Sequence, residues 1–205
     1  MKTQMIVAGH GGQGVLELGN YICYLGLLKG DRVAYVPSYG PESRGGKVKC
    51  YVISSDKDIA SPVVEEPDYL IIMNIPSMDY VPLLRKDGTL LMNSSLIPGG
   101  PERTDINVAK IPAVDIAVGL ADMHLKGIQD TRLAANAVMF GVYLAVTREP
   151  LNLDLVQEVF EHFLTDRKMM FIPLDMEAVK RGYQYALENG LVPETVEDEL
   201  KACWL

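Results

Sequence analysis

Cysteine, histidine and tryptophan are scarce in this chain: three Cys, three His and one Trp among 205 residues. Cys23, Cys50 and Cys203 stand far apart, so they outline no disulfide framework of the kind that staples small secreted domains. Nor do they supply the roughly four closely spaced thiolates of an iron–sulfur cluster. Three scattered thiols fit a reducing, cytoplasmic compartment. Positive charge is also short. Lys and Arg total 19 against 27 Asp and Glu, a formal net charge of −8. That balance argues against a nucleic-acid partner, which needs a basic footprint to displace phosphate counterions. No apolar run approaches the ~20 residues of a membrane span. Met1–Gln4 leads into a strand-like stretch without a signal-peptide pattern. What remains is an ordinary globular mixture, 48% hydrophobic and 22% charged, long enough to bury a sizeable core.

The hydrophobic pattern alternates between short apolar runs and helical stripes. Met5–Ala8 reads as a strand buried on both faces. Gly9-His10-Gly11-Gly12-Gln13-Gly14 follows, and then Val15, Leu18, Ile22 and Leu25 at roughly helical spacing, with Gly30 as a stop. Arg32–Val36 reads as a second strand, which makes a strand–helix–strand unit of a parallel sheet. Residues 37–46 are dense in turn formers and read as a loop. Strands are expected at Val48–Ile53, Tyr69–Met73, Leu90–Asn93 and Ile106–Ile111. Ser77 is placed to cap a short helix through Leu84. Beyond Pro112 the pattern turns helical, over Leu133–Val146, Leu153–Leu164 and a stripe from Met176 to Leu187. The fold class expected is α/β: a single Rossmann-like domain with a mainly parallel sheet, flanking helices and a helical C-terminal half. It is assigned to residues 1–190, with an acidic tail at 191–205.

Gly9-x-Gly11-x-x-Gly14 matches the dinucleotide fingerprint and lies where that fingerprint belongs, between a strand and a helix. Glycines there allow a sharp turn and close approach of a ligand, and the helix start presents amides to an anion. The nicotinamide version also needs an acid after the second strand to hold the ribose. Val36 is instead followed by Pro37, Ser38 and Tyr39, and Asp31 precedes the strand. The loop therefore binds another phosphate-bearing group, or packs against a partner.

Two stretches together carry a family resemblance. Gly9–Val15 resembles the GxGGQGV motif of the gamma subunit of 2-oxoacid:ferredoxin oxidoreductases. Pro37–Gly46, with Tyr39-Gly40-Pro41-Glu42-Ser43-Arg44-Gly45-Gly46 at its heart, resembles that family's YGPExRGG loop. Ser61-Pro62, Pro67–Ile71, Asn93–Ser95 and Asn136 with Met139–Gly141 are similar to its continuation. The loop after the second strand looks closest to the 2-oxoglutarate and branched-chain branches, with 2-oxoglutarate preferred. The resemblance implies a subunit that is inactive alone. In that family thiamine diphosphate, Mg2+ and 4Fe-4S clusters sit largely on alpha, beta and delta chains or domains. Ferredoxin takes the electrons, and coenzyme A takes the acyl group. The gamma-type domain is associated with the coenzyme A side of the site. A free-standing dinucleotide-binding oxidoreductase and a ligand-free scaffold subunit are the alternatives.

No catalytic set and no metal-ligand spacing emerges from the residues themselves. The cofactor-binding candidates are Gly9, Gly11, Gly12, Gln13, Gly14, Tyr39, Glu42, Arg44, Gly45 and Asn136. The Gln13 amide both donates and accepts, so it suits a cofactor, a partner's backbone or a cap. His10 is read as non-catalytic. Arg44 offers a planar fork to a phosphate or carboxylate, or else pairs with an acid in the loop. Gly45 and Gly46 permit close backbone approach. Asn136, within an apolar helix, is a satisfied core amide, or else reaches back to the glycine loop or faces a partner chain. His124 and His162 are assigned nothing.

Overall fold

The structure, a computed structural model, describes residues 2–40, 46–123, 128, 130–165 and 168–192. The chain divides into two compact units, Met1–Pro112 and Ala113–Leu205. Most of the acidic stretch expected at 191–205, from residue 193 onward, lies outside the described residues.

The first unit is built on a six-stranded sheet. Its strands are β1 (Lys2–His10), β2 (Arg32–Tyr39), β3 (Lys47–Ser55), β4 (Tyr69–Ile72), β5 (Thr89–Asn93) and β6 (Asn107–Ile111). Their spatial order is β2-β3-β1-β4-β5-β6. β1, β4, β5 and β6 pair in parallel. β3 runs antiparallel to both of its neighbours, β1 and β2. The α/β class and the mainly parallel sheet are borne out.

The strand–helix–strand reading needs one change. Helix α1 (Val15–Leu28) follows β1, but β2 does not lie beside β1. β3 folds back from β2 and inserts between the two. β2 also extends to Tyr39, pairing Pro37 with Cys50 and Tyr39 with Val48. Pro37 signals a break in sequence, yet an edge strand tolerates proline because one side of its ladder is unused. β2 is that edge.

Each face of this sheet has its own packing. Gly19 of α1 lies against the Cys50 Sγ and the Tyr35 ring, and Gly26, two turns on, lies against Ser54 and Val33. The two glycines seat the helix closely on β3 and β2. On the opposite face Ile6, Ala8, Ile53, Leu70, Ile72, Leu90 and Met92 pack with Val64, Val81, Leu84 and Ile97. Strand alternation explains the split, because neighbouring residues point to opposite sides. The segment Ile75–Leu83 is a 3-10 helix, capped by Asn74 rather than Ser77. Pro82 lies inside it and lacks the amide that an α-helix would use there.

The second unit is helical: α2 (Ala113–Val118), α3 (Ala135–Val146), α4 (Leu153–Phe163) and α5 (Ile172–Glu188). α3 is buried from Ala135 to Ala145. A methyl group on Gly141 would collide with the Val179 carbonyl, and one on Gly182 with the Val138 carbonyl. Each helix thus offers a glycine to the other's backbone. Phe140 meets Phe160 of α4 edge to face, with ring centroids 6.3 Å apart. The Tyr183 hydroxyl donates to the Glu149 carbonyl at 3.0 Å. The expected helical C-terminal half is therefore present, with α2 as an element the periodicity did not reveal.

Candidate functional site

The carboxyl ends of β1, β4 and β5 meet at one edge of the sheet, and the glycine loop leaves β1 there. Its glycines serve different needs. Gly9 is packed: an added Cβ would lie 2.6 Å from Val15 Cγ2, 2.8 Å from Gln13 Oε1 and 3.0 Å from Met73 Cβ. Gly12 is open, with φ of 100° and nothing within 4 Å of that added Cβ. Gly14 takes φ of 68° as the residue that begins α1, where no side chain caps the helix. The leading amides of α1 therefore face this edge and favour negative charge, an effect that Glu17 in the first turn partly offsets.

Gln13 ties the loop to β4. Its Oε1 accepts from the His10 backbone N–H at 2.8 Å and from Asn74 Nδ2 at 2.9 Å. Its Nε2 donates to the Met73 carbonyl at 3.2 Å. Asn74 in turn accepts from the Ser77 N–H at 3.1 Å and the Ser77 hydroxyl at 2.7 Å. Asn93, at the end of β5, donates to the same Met73 carbonyl at 3.4 Å. The network spans the gap between β1 and β4. The connections leave β1 toward β3 and β2 on one side and toward β4 on the other, so this gap is the topological switch point of the sheet. Among the described residues, His10 Nδ1 and Asn93 Oδ1 here are buried without a hydrogen-bond partner.

The second glycine-rich loop reaches the same edge. The Gly11 N–H donates to the Gly46 carbonyl at 3.1 Å, which joins the two stretches singled out in the sequence. Tyr39, at the end of β2, shares a register row with Val48 and Gly9 and is 68% exposed. Glu42, Arg44 and Gly45 lie outside the described residues, as does His124. Gly9, Gly11, Gly12, Gln13, Gly14 and Tyr39 are thus brought to one sheet edge. Asn136 belongs to the second unit, where it is buried in α3 and its Oδ1 accepts from the Ala137 N–H at 2.9 Å. His162 is stacked edge to face on Phe163.

Sequence reasoning missed Asn74, whose only signal was its place directly after an apolar strand. It also missed two lysines on β3. Lys47 Nζ lies 3.0 Å from Asp79 Oδ2, and Asp79 holds the ammonium above its ordinary pKa. Lys49 Nζ lies 4.7 Å from the Tyr80 ring centroid and 5.1 Å from that of Tyr51.

Cys50 lies beneath the start of α1, its Sγ 3.7 Å from the Val15 carbonyl, and Cys23 lies within α1. Burial raises Cys50 to about 12 and Cys23 to about 11, so both stay protonated and poorly nucleophilic at neutral pH. Among the described residues no group of three or more His, Cys, Asp or Glu side chains gathers as a metal site. None of the described helices is long and apolar enough to cross a membrane.

Residues 4–185 match the family described as pyruvate ferredoxin/flavodoxin oxidoreductase. The ketoisovalerate oxidoreductase subunit VorA of Methanothermobacter thermautotrophicus is 31% identical over 191 residues, covering 92% of this chain. The chain spans only 37% of that relative's length. The 2-oxoglutarate synthase subunit KorC of Methanocaldococcus jannaschii is 30% identical over 197 residues, covering 92% of this chain and 96% of KorC. A chain of the 2-oxoglutarate:ferredoxin oxidoreductase from Magnetococcus marinus, solved with 2-oxoglutarate, coenzyme A and succinyl-CoA bound, shares the fold. Its TM-score is 0.75 at 16% identity, over 90% of this chain and 31% of that one.

Proposed function

This chain belongs to the pyruvate ferredoxin/flavodoxin oxidoreductase family, and on that premise we propose that it is the gamma-type subunit of a 2-oxoacid:acceptor oxidoreductase. In this reading residues 1–190 work as one domain that shapes the coenzyme A side of a shared active site. The reaction is oxidative decarboxylation of a 2-oxoacid to an acyl-CoA and carbon dioxide, in the cytoplasm, with electrons passing to ferredoxin. The preferred substrate is 2-oxoglutarate, with branched-chain 2-oxoacids next. Thiamine diphosphate with Mg2+ supplies the decarboxylation and 4Fe-4S clusters the electron path, both on companion alpha, beta and delta chains. In this reading the chain's own contribution is to bind and to position.

One observation carries this reading: the Gly11–Gly46 hydrogen bond, which brings both family loops to one edge. A cofactor's anionic part meets α1's leading amides there, beside the exposed Tyr39. A free-standing dinucleotide-binding enzyme is disfavoured because β2 ends in Pro37, Ser38 and Tyr39, with no acid at its end to hold a ribose.

The test is an assay of the assembled complex with 2-oxoglutarate, 2-oxoisovalerate and pyruvate, with Arg44→Ala alongside. A higher KM for coenzyme A in Arg44→Ala, with assembly intact, supports a ligand-facing loop. Weakened assembly with an unchanged KM supports the scaffold reading instead. Turnover of none of the three 2-oxoacids refutes the proposal.

A further inference from the structure

Lys47 and Lys49 stand beside the glycine loop in the sheet's own register. On β1, Lys47 is opposite His10 and Lys49 opposite Ala8; on β2, Lys49 is opposite Ser38. Strand alternation puts both side chains on the sheet face opposite α1, together with Tyr51. Lys47 is paired with Asp79, which cancels much of its charge toward a ligand. Lys49 has no carboxylate partner among the described residues. Two tyrosine rings hold its ammonium instead, at 4.7 and 5.1 Å. Ring faces attract a cation without using up its directed N–H donors. The clamp therefore fixes a long, otherwise mobile side chain and leaves its donors for an anion. The buried His10 Nδ1 in the adjoining row is also without a partner among the described residues.

In a chain of net charge −8, a local cation offsets the general repulsion that an anionic ligand meets. We propose that Lys49 receives a phosphate group of coenzyme A at this edge. The inference rests on the functional reading above and deepens it, by naming a contact that neither glycine motif contains. An ammonium is a compact point charge suited to phosphate. Tyr51 and Tyr80 act as positioning residues for it.

The experiment measures KM for coenzyme A, dephospho-coenzyme A and the 2-oxoacid in the assembled complex. Lys49→Met keeps the stem and removes the charge. It raises the KM for coenzyme A about tenfold, the lower end for a charged hydrogen bond near solvent. The KM for the 2-oxoacid stays within about twofold, and Lys49→Arg recovers most of the loss. A penalty that disappears with dephospho-coenzyme A assigns the contact to the 3′-phosphate, and one that persists assigns it to the diphosphate. A working complex in which Lys49→Met leaves the KM for coenzyme A unchanged, or raises the 2-oxoacid KM equally, overturns the lysine assignment alone. A wild-type complex without coenzyme A-dependent turnover overturns the functional reading, and this inference with it.

Discussion

Replacing Gln13 by alanine removes three hydrogen bonds at the junction of the glycine loop and β4. The His10 N–H, the Asn74 Nδ2 and the Met73 carbonyl each lose the Gln13 amide. The Met73 carbonyl keeps only the longer bond from Asn93, at 3.4 Å. Each orphaned buried group costs about 1–3 kcal/mol, and these are partly buried, so the sum falls near 2–4 kcal/mol. For a chain of this size that corresponds to a drop in Tm of roughly 5–12 °C. Gln13→Glu sharpens the test. A carboxylate still accepts from His10 and Asn74 but turns an oxygen toward the Met73 carbonyl, so it costs an intermediate amount. A double-mutant cycle with Asn74→Ala isolates the Gln13–Asn74 contact, for which we expect a coupling of about 0.5–1.5 kcal/mol. Urea unfolding followed by circular dichroism gives all four values. If Gln13→Ala costs less than about 0.5 kcal/mol, the clamp is not structural, and the Gln13 amide serves a ligand or partner instead.

Two further outcomes follow from packing and titration. Gly141→Ala drives a methyl into the Val179 carbonyl, so α3 and α5 must separate, at a cost of about 1–3 kcal/mol; a thermal melt unchanged to within a degree contradicts that close approach. Burial pushes the Cys50 thiol from its ordinary pKa of 9.0 up to about 12. Its contribution to stability is complete below pH 9 and is lost as pH rises from 9 toward 12, because only the unfolded chain ionises there. The slope approaches about 1.4 kcal/mol per pH unit. Denaturation midpoints at pH 8, 9.5 and 11 should fall in wild type and fall less in Cys50→Ala; equal slopes in both would show that another group controls the loss.

Much of this was legible in the sequence, and the gaps have physical causes. The apolar runs at Met5–Ala8, Tyr69–Met73 and Leu90–Asn93 read as parallel strands because burial on both faces removes alternation. The glycine loop was legible because strand, turn and helix signals coincide there. What the sequence hid is non-local. That β3 inserts between β1 and β2 is a pairing choice, and pairing leaves no mark in either strand's own pattern. Pro37 misled for the same reason, since whether a strand lies at an edge depends on its neighbours. Asn74 outcompetes Ser77 as a cap because β4 delivers it directly to the turn. The amide of Gln13 looked free for a ligand, yet its partners Met73 and Asn74 lie some sixty residues away. The reason for Gly141 within an apolar helix is likewise non-local: it faces the Val179 carbonyl of α5, as Gly182 of α5 faces the Val138 carbonyl.

The central claim is that this chain works only within a larger 2-oxoacid oxidoreductase. The direct measurement is coenzyme A-dependent reduction of ferredoxin, or of a dye acceptor, by a 2-oxoacid. It is made on the complex copurified through a tag on this chain, then repeated with companion chains prepared without it. The account predicts that thiamine- and cluster-bearing chains copurify, that the complex turns over, and that leaving out this chain abolishes or severely reduces the coenzyme A-dependent rate. A chain that purifies alone and binds NAD(H) or NADP(H) in calorimetry, or a complex equally active without it, would contradict the account.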